Sequence, residues 1–236
     1  MRSISTPRVP SLAFPGSQHG VVELLNHKLS ELDDHRVRFA GVLSLFDFST
    51  ASIQSALNAY QMAKAADPTG DSWADARVVR DDAMEYPRIW KKIAARDGAI
   101  TIWDFGTALY AAIKHTASLK SLEIENRHLD RIAKAFSSKF PDAKHVRHGV
   151  GHPSDISNTP KRNVASGSFK NASMAINKTE KLSISGIFGR DVVVTIEKRI
   201  VKCTIDQNTL DSLVDIEFSF YELVQPAVDR LRPLQR

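Results

Sequence analysis

Residues 182–205 read LSISGIFGRDVVVTIEKRIVKCTI, and within them the apolar period of the chain changes. Leu182, Ile184, Ile187, Val192, Val194 and Ile196 nearly alternate with other residues, and Ile200, Val201, Cys203 and Ile205 follow Glu197-Lys198-Arg199. Alternating β-branched residues between turn signals predict two or three antiparallel strands, with turns near Gly189-Arg190 and Glu197-Arg199. A hairpin alone is marginal in water, so this module must pack on helices or on a second copy.

On both sides of this module the period is helical. After it, Asp206 or Asn208 caps a helix through Leu210, Leu213, Ile216, Phe220, Leu223 and Val224, which Pro226 ends or kinks. Before it, from Pro153 to Thr179, no period survives; Asn, Ser, Lys, Gly and Pro predict a long loop. Further back, Val22, Leu25, Leu29, Leu32, Val37, Phe39, Val42 and Leu45 predict a helix that breaks at Phe46-Thr50. A second carries Ile53, Leu57, Tyr60 and Met62 up to the turn cluster Asp67-Gly70. A third starts at Asp71 or Ser72, and Pro87 kinks or restarts it. Asp97-Gly98 is a junction or lies inside a long bent helix. Another helix runs from Leu119 to Phe140, and Phe140-Pro141-Asp142 closes it and opens the next element.

The expectation is therefore a mainly α protein: a bundle of about six helices with a β-hairpin or three-stranded insertion before the C-terminal helix. Its parts are a flexible tail over 1–20, a helical hairpin over 21–70, and a bundle over 71–236. The bundle contains the loop 153–179 and the β-insertion 181–205.

Composition narrows the function classes. With 42% hydrophobic and 25% charged residues the chain can form a core, which excludes general disorder. No run of about 18 apolar residues exists, so no membrane helix is expected. Cys203 is the single cysteine, which excludes an intrachain disulfide and a thiolate zinc site. A cytoplasmic location fits, and Cys203 is expected to be buried and inert. Residues 141–202 carry seven Lys and four Arg against three Asp and two Glu, so they supply the whole +5 excess of the chain. That segment is either a solvated basic loop or a surface for a polyanion such as RNA, with Lys144, Lys161 and Arg162 as contacts. Trp73, Trp90 and Trp103 read as core or interface positions. No phosphate-binding glycine loop and no nucleophile elbow occurs, and no cofactor is implied.

Residues 144–152 read Lys-His-Val-Arg-His-Gly-Val-Gly-His. A guanidinium at Arg147 can hold a phosphate by two parallel hydrogen bonds. An imidazole at His152 can move a proton near neutral pH. Together they could cleave RNA through its own 2′-hydroxyl without a metal. On an ideal helix the two side chains diverge by about 140°, so a shared site needs a break or a cleft. Two other readings stay open. Arg147, His148 and His152 could anchor the helix to the adjacent loop through Asp155. Alternatively His145, His148 and His152, with a carboxylate from Asp142 or Asp155, could hold zinc or nickel.

The stretch Trp90–Ile102, followed by Phe105-Gly106 and by Phe140-Pro141 ahead of Arg-His-x-x-x-His, resembles a group of bacterial proteins. Their Arg-x4-His helix is similar to that of the HEPN superfamily. The resemblance covers roughly residues 84 to 230. It implies a helical bundle that often dimerises, and either a metal-independent endoribonuclease of the toxin or defence type or a domain that only binds. It makes Arg147 and His152 the matching pair and His148 the polar position after the arginine. The alternative is a non-catalytic interaction protein whose hairpin and loop hold a protein partner and whose Arg-His cluster is structural. Gly149 and Gly151, poor helix formers, and the strands before the last helix depart from the family pattern.

Overall fold

Two helices of 48 and 47 residues, α1 (His19–Ala66) and α2 (Ser72–Ser118), pair along their lengths. Each is about 70 Å long at 1.5 Å per residue. The structure is a computed structural model. It describes residues 5–67, 72–151, 165–166, 169–171, 174–176, 181–182, 185–196 and 199–231. Two shorter helices follow, α3 (Asn126–Lys139) and α4 (Ala143–Gly151), and α5 (Gln207–Leu231) closes the described chain. Between α4 and α5 lie β1 (Ala165–Ser166), β2 (Phe169–Asn171), β3 (Met174–Ile176), β4 (Lys181–Leu182), β5 (Ser185–Phe188), β6 (Asp191–Ile196) and β7 (Arg199–Thr204). β5, β6 and β7 form a three-stranded antiparallel sheet in that order, with Val194 opposite Ser185 on one side and Val201 on the other. The mainly α architecture with a three-stranded insertion before the last helix is therefore present.

Several sequence boundaries shift. The break expected at Phe46-Thr50 is absent, because Ser49 and Thr50 donate to the carbonyls of Leu45 and Phe46 at 2.7 and 2.8 Å. A hydroxyl satisfied one turn back stays inside a helix instead of capping a new one. Residues 21–70 are thus not a hairpin; α1 is one helix and its partner is α2. Val37 stands 55% exposed, because the buried register of α1 passes through Leu29, Leu32, Arg36, Phe39 and Leu43. α2 continues through Pro87, and α5 through Pro226. The helix expected from Leu119 begins at Asn126, after a single 3-10 turn in which Leu122 is buried. Residues 5–18 of the expected flexible tail dock on α1. Val9 and Phe14 are buried, and the Asn26 side chain pairs with both the N–H and the C=O of Val9 at 2.8 Å. Within the expected loop 153–179, β2 pairs with β3, and β1 pairs with β4 just beyond its end.

One hydrophobic cluster takes in α1, α2, α3, α4, β6, β7 and α5. It ends at Phe46 on α1 and begins again at Ala94 on α2; the buried Ser49 and Met84 lie just outside it, and residues 50–66 and 74–83 form an arm beyond them. At three places the helices meet through glycine. A Cβ on Gly98 would lie 2.6 Å from Ile205, and one on Gly106 would overlap the Phe136 ring. Gly149 is the third, against β6. Asp206 caps α5, its carboxylate accepting from the Thr209 N–H at 2.8 Å.

Inside this core sits an ion pair. Arg36 of α1 lies 2.6 Å from Glu217 of α5, whose side chain is fully buried, and also pairs with Asp33. The contact is a charge contact without the alignment of a hydrogen bond. Burial raises the Glu217 carboxyl above the usual carboxylate range, against the pull of Arg36. Tyr221, one turn on, donates to the Leu29 carbonyl at 2.7 Å. Arg36→Met leaves a buried carboxylate without its counter-charge and should cost about 3 kcal/mol in urea unfolding. Adding Glu217→Leu to Arg36→Met should recover most of that loss, and a double variant no better than Arg36→Met would refute the assignment.

Candidate functional site

α4 is the element that carries the Arg-His cluster. Phe140 and Pro141 end α3, and α4 starts at Ala143 two residues later. Ala143, Val146 and Gly149 form its buried face, which lies against α2 and the sheet. A Cβ on Gly149 would overlap the Val194 side chain of β6, so glycine is what lets α4 approach the sheet this closely. The residue that weakens the helix locally is thus required by its packing.

The opposite face of α4 is open. Lys144 and His148 are exposed, and His145 and Arg147 are half-buried. Lys144, Arg147 and His148 recur at i, i+3 and i+4, so they share one side. Among the described residues Arg147 forms no ion pair and no hydrogen bond. His152, Lys161, Arg162 and Asp155 lie outside the described residues, so the structure brings together Lys144, Arg147 and His148 of the sequence-predicted set. For the metal reading, no three His, Cys, Asp or Glu side chains converge among the described residues, and His152 lies beyond them.

Two hollows flank α4. At its N-terminal end a cavity of about 250 Å³ is lined by Lys139, Asp142, Lys202, Cys203 and Thr209, among others. Burial, with Asp191 and Asp142 nearby, pushes the Cys203 thiol up to about 12. That favours the protonated thiol at neutral pH. At the C-terminal end of α4 a groove of about 90 Å³ runs between α2 and β5. Val150, Gly186 and Ile187 line it on one side, and Lys92 and Arg96 on the other. Val150 is three residues past Arg147, hence on the same side of α4. Sequence reading missed Lys92 and Arg96, although the signal was present: from Tyr86 through Arg96, α2 carries four cations and no acid.

Compared with protein-family models, with curated proteins and with solved structures, the chain matches none. Among the described residues no helix is long and apolar enough to cross a membrane. The site therefore has to be read on its own geometry.

That geometry makes α4 a lever on the sheet. Gly149→Ala should destabilise the chain by about 1–3 kcal/mol, since overpacking forces α4 off β6. In a double-mutant cycle, Val194→Ala should offset part of that cost. Additive losses in thermal or urea unfolding would show that α4 does not rest on Val194.

Proposed function

We propose that this chain is a metal-independent endoribonuclease that works in the cytoplasm and acts on RNA at α4. One observation carries the reading. The helix that bears the Arg-His cluster buries its apolar side and leaves Arg147 half-buried without an ion-pair partner among the described residues, beside the exposed His148. A guanidinium consumed by a structural role would be expected to meet a carboxylate, as Arg36 and Arg38 do with Glu217 and Asp97.

The chemistry needs two functions. His152 takes the proton from a ribose 2′-hydroxyl, and the oxygen attacks the adjacent phosphorus. Arg147 holds the non-bridging oxygens and stabilises the charge that builds on the phosphorane-like transition state. The bond to the 5′-oxygen breaks, and that oxygen leaves with a proton supplied by His148. The products are a 2′,3′-cyclic phosphate and a free 5′-hydroxyl. The resemblance to HEPN proteins supports the same roles and adds a homodimer and a toxin or defence setting.

With purified protein in excess EDTA, RNA should be cut to fragments with 2′,3′-cyclic phosphate ends. Arg147→Ala and His152→Ala should each lower the rate about 100-fold or more while unfolding at the wild-type temperature. Cleavage that EDTA abolishes, or that survives both substitutions, would refute this mechanism.

A further inference from the structure

Several arginines of α1 and α2 are held by neighbouring acids, and a row of cations on α2 is not. Arg36, Arg38, Arg77 and Arg80 all pair with carboxylates. Arg88, Lys92 and Arg96 are exposed and form no ion pair among the described residues. They recur at i, i+4 and i+8, so they form a ridge with about 6 Å of rise between neighbours. Glu85 ends it on one side, and Asp97, held by Arg38, ends it on the other. Two members, Lys92 and Arg96, wall the groove that Val150 shares. The ridge thus reaches the C-terminal end of α4 at Val150.

Next to the ridge, α2 turns apolar and aromatic side chains to solvent. Ile89 and Ile93 adjoin it, and Tyr86 and Trp90 lie beyond them, with Trp90 about 160° around the helix from Arg88 and Lys92. Trp90 lies between two other rings, Phe48 at 6.1 Å and Tyr86 at 6.3 Å. All three aromatic residues are at least 39% exposed. Below them, Lys91 sits over the Phe46 ring at 4.9 Å, with Arg190 over the same ring at 5.8 Å. These add positive charge under the strip.

We infer that α2 between Tyr86 and Arg96 binds a single-stranded RNA, with Arg88, Lys92 and Arg96 on its phosphates and Trp90 and Tyr86 against its bases. This rests on the proposed RNA-cleaving role of α4, for which it supplies the approach of the strand. Sequence-tolerant single-strand surfaces combine cations for the phosphates with exposed rings for the bases, and here the strand would cross the exposed Ile89–Ile93 face that separates the two. Unpaired bases are required, since a duplex hides its base faces. A protein partner would need acids facing the ridge and would not need the open groove toward Arg147.

The test uses the full chain and a labelled 2′-O-methyl oligonucleotide of about 16 residues, which has no free 2′-hydroxyl to attack. By anisotropy, Arg88→Ala/Lys92→Ala/Arg96→Ala should bind about tenfold or more weakly at 0.1 M salt. Its log–log salt slope should fall by about 2, as three phosphate contacts on a single strand require. Trp90→Ala should bind several-fold more weakly with the slope unchanged. Equal affinity and slope in the triple variant, or no binding by the wild type, would overturn the inference. So would a change from dimer to monomer in Trp90→Ala with RNA affinity intact, which would assign the strip to self-association. Cleavage of ordinary RNA is scored separately. Ridge-dependent binding without cleavage keeps this inference and removes the nuclease; cleavage lost in Arg147→Ala but unchanged in the triple variant does the reverse.

Discussion

The contact on which the rest of the arrangement turns is the buried charge pair of Arg36 and Glu217. Each occupies a position where its helix presents an otherwise apolar face: Arg36 between Leu32 and Phe39, Glu217 between Leu213 and Phe220. Apolar side chains slide past one another at modest cost, because hydrophobic burial has no direction. Two opposite charges in a dry interior do not. A shift by one turn would leave each without its counter-charge, at a cost of several kcal/mol. The pair adds little net stability, but it selects one register of α1 against α5. The hydrogen bond from Tyr221 to the Leu29 carbonyl, one turn from Glu217 on α5 and two turns from Arg36 on α1, holds the same register.

From that register the site follows. α5 starts directly after β7, so fixing α5 on α1 fixes the sheet beside α2. Ile205, between β7 and α5, fills the notch at Gly98, and Arg190 of the β5–β6 turn reaches Asp47 of α1 while donating to the Ile205 carbonyl at 2.9 Å. The sheet then offers Val194 to α4, and Gly149 lets the helix settle there. Arg147 ends up on the open side of α4 because its neighbours on either side, Val146 and Gly149, are the ones the sheet and α2 receive. The candidate chemistry is displayed by packing that does not itself involve the reactive groups.

Much of this could be read from the sequence, and the parts that could not have identifiable causes. The strand module was legible because β-branched residues run unbroken from Val192 to Ile196 and Gly189 supplies the left-handed turn residue, at φ of 63°. The cap at Asp206 was legible for a similarly local reason. The helix breaks were not. Ser49, Thr50, Pro87 and Pro226 are punctuation only when nothing else holds the chain, and here the long α1–α2 contact and the α5 packing override them. Arg36 and Glu217 were invisible because a charged residue on an apolar face reads as a gap in the pattern until its partner is known. At the site, Lys144, Arg147 and His148 were legible as neighbours on one helix. Lys92 and Arg96 were not, since they are about fifty residues away and join α4 only through the groove.

The distribution of counter-charges gives the exposed surface its direction. Arg38 with Asp97 ties α1 to α2, while Arg77 and Arg80 with Asp81 saturate one another on the arm. Such exposed pairs contribute less than about 1 kcal/mol each, so their effect on stability is minor. Their effect on the field is larger: they neutralise Arg38, Asp97 and Asp81, while Arg88, Lys92 and Arg96 have no ion-pair partner among the described residues. That segment borders the β5–β6 turn, where Arg190 and Lys91 meet over Phe46 and burial, with Arg190 close by, pushes the Lys91 ammonium below its usual range. Asp47 on Arg190 and the Phe46 ring offset part of that crowding within the fold. Arg88, Lys92 and Arg96 have no such offset among the described residues, and a polyanion laid across them would supply the missing counter-charge as far as the groove that Val150 shares.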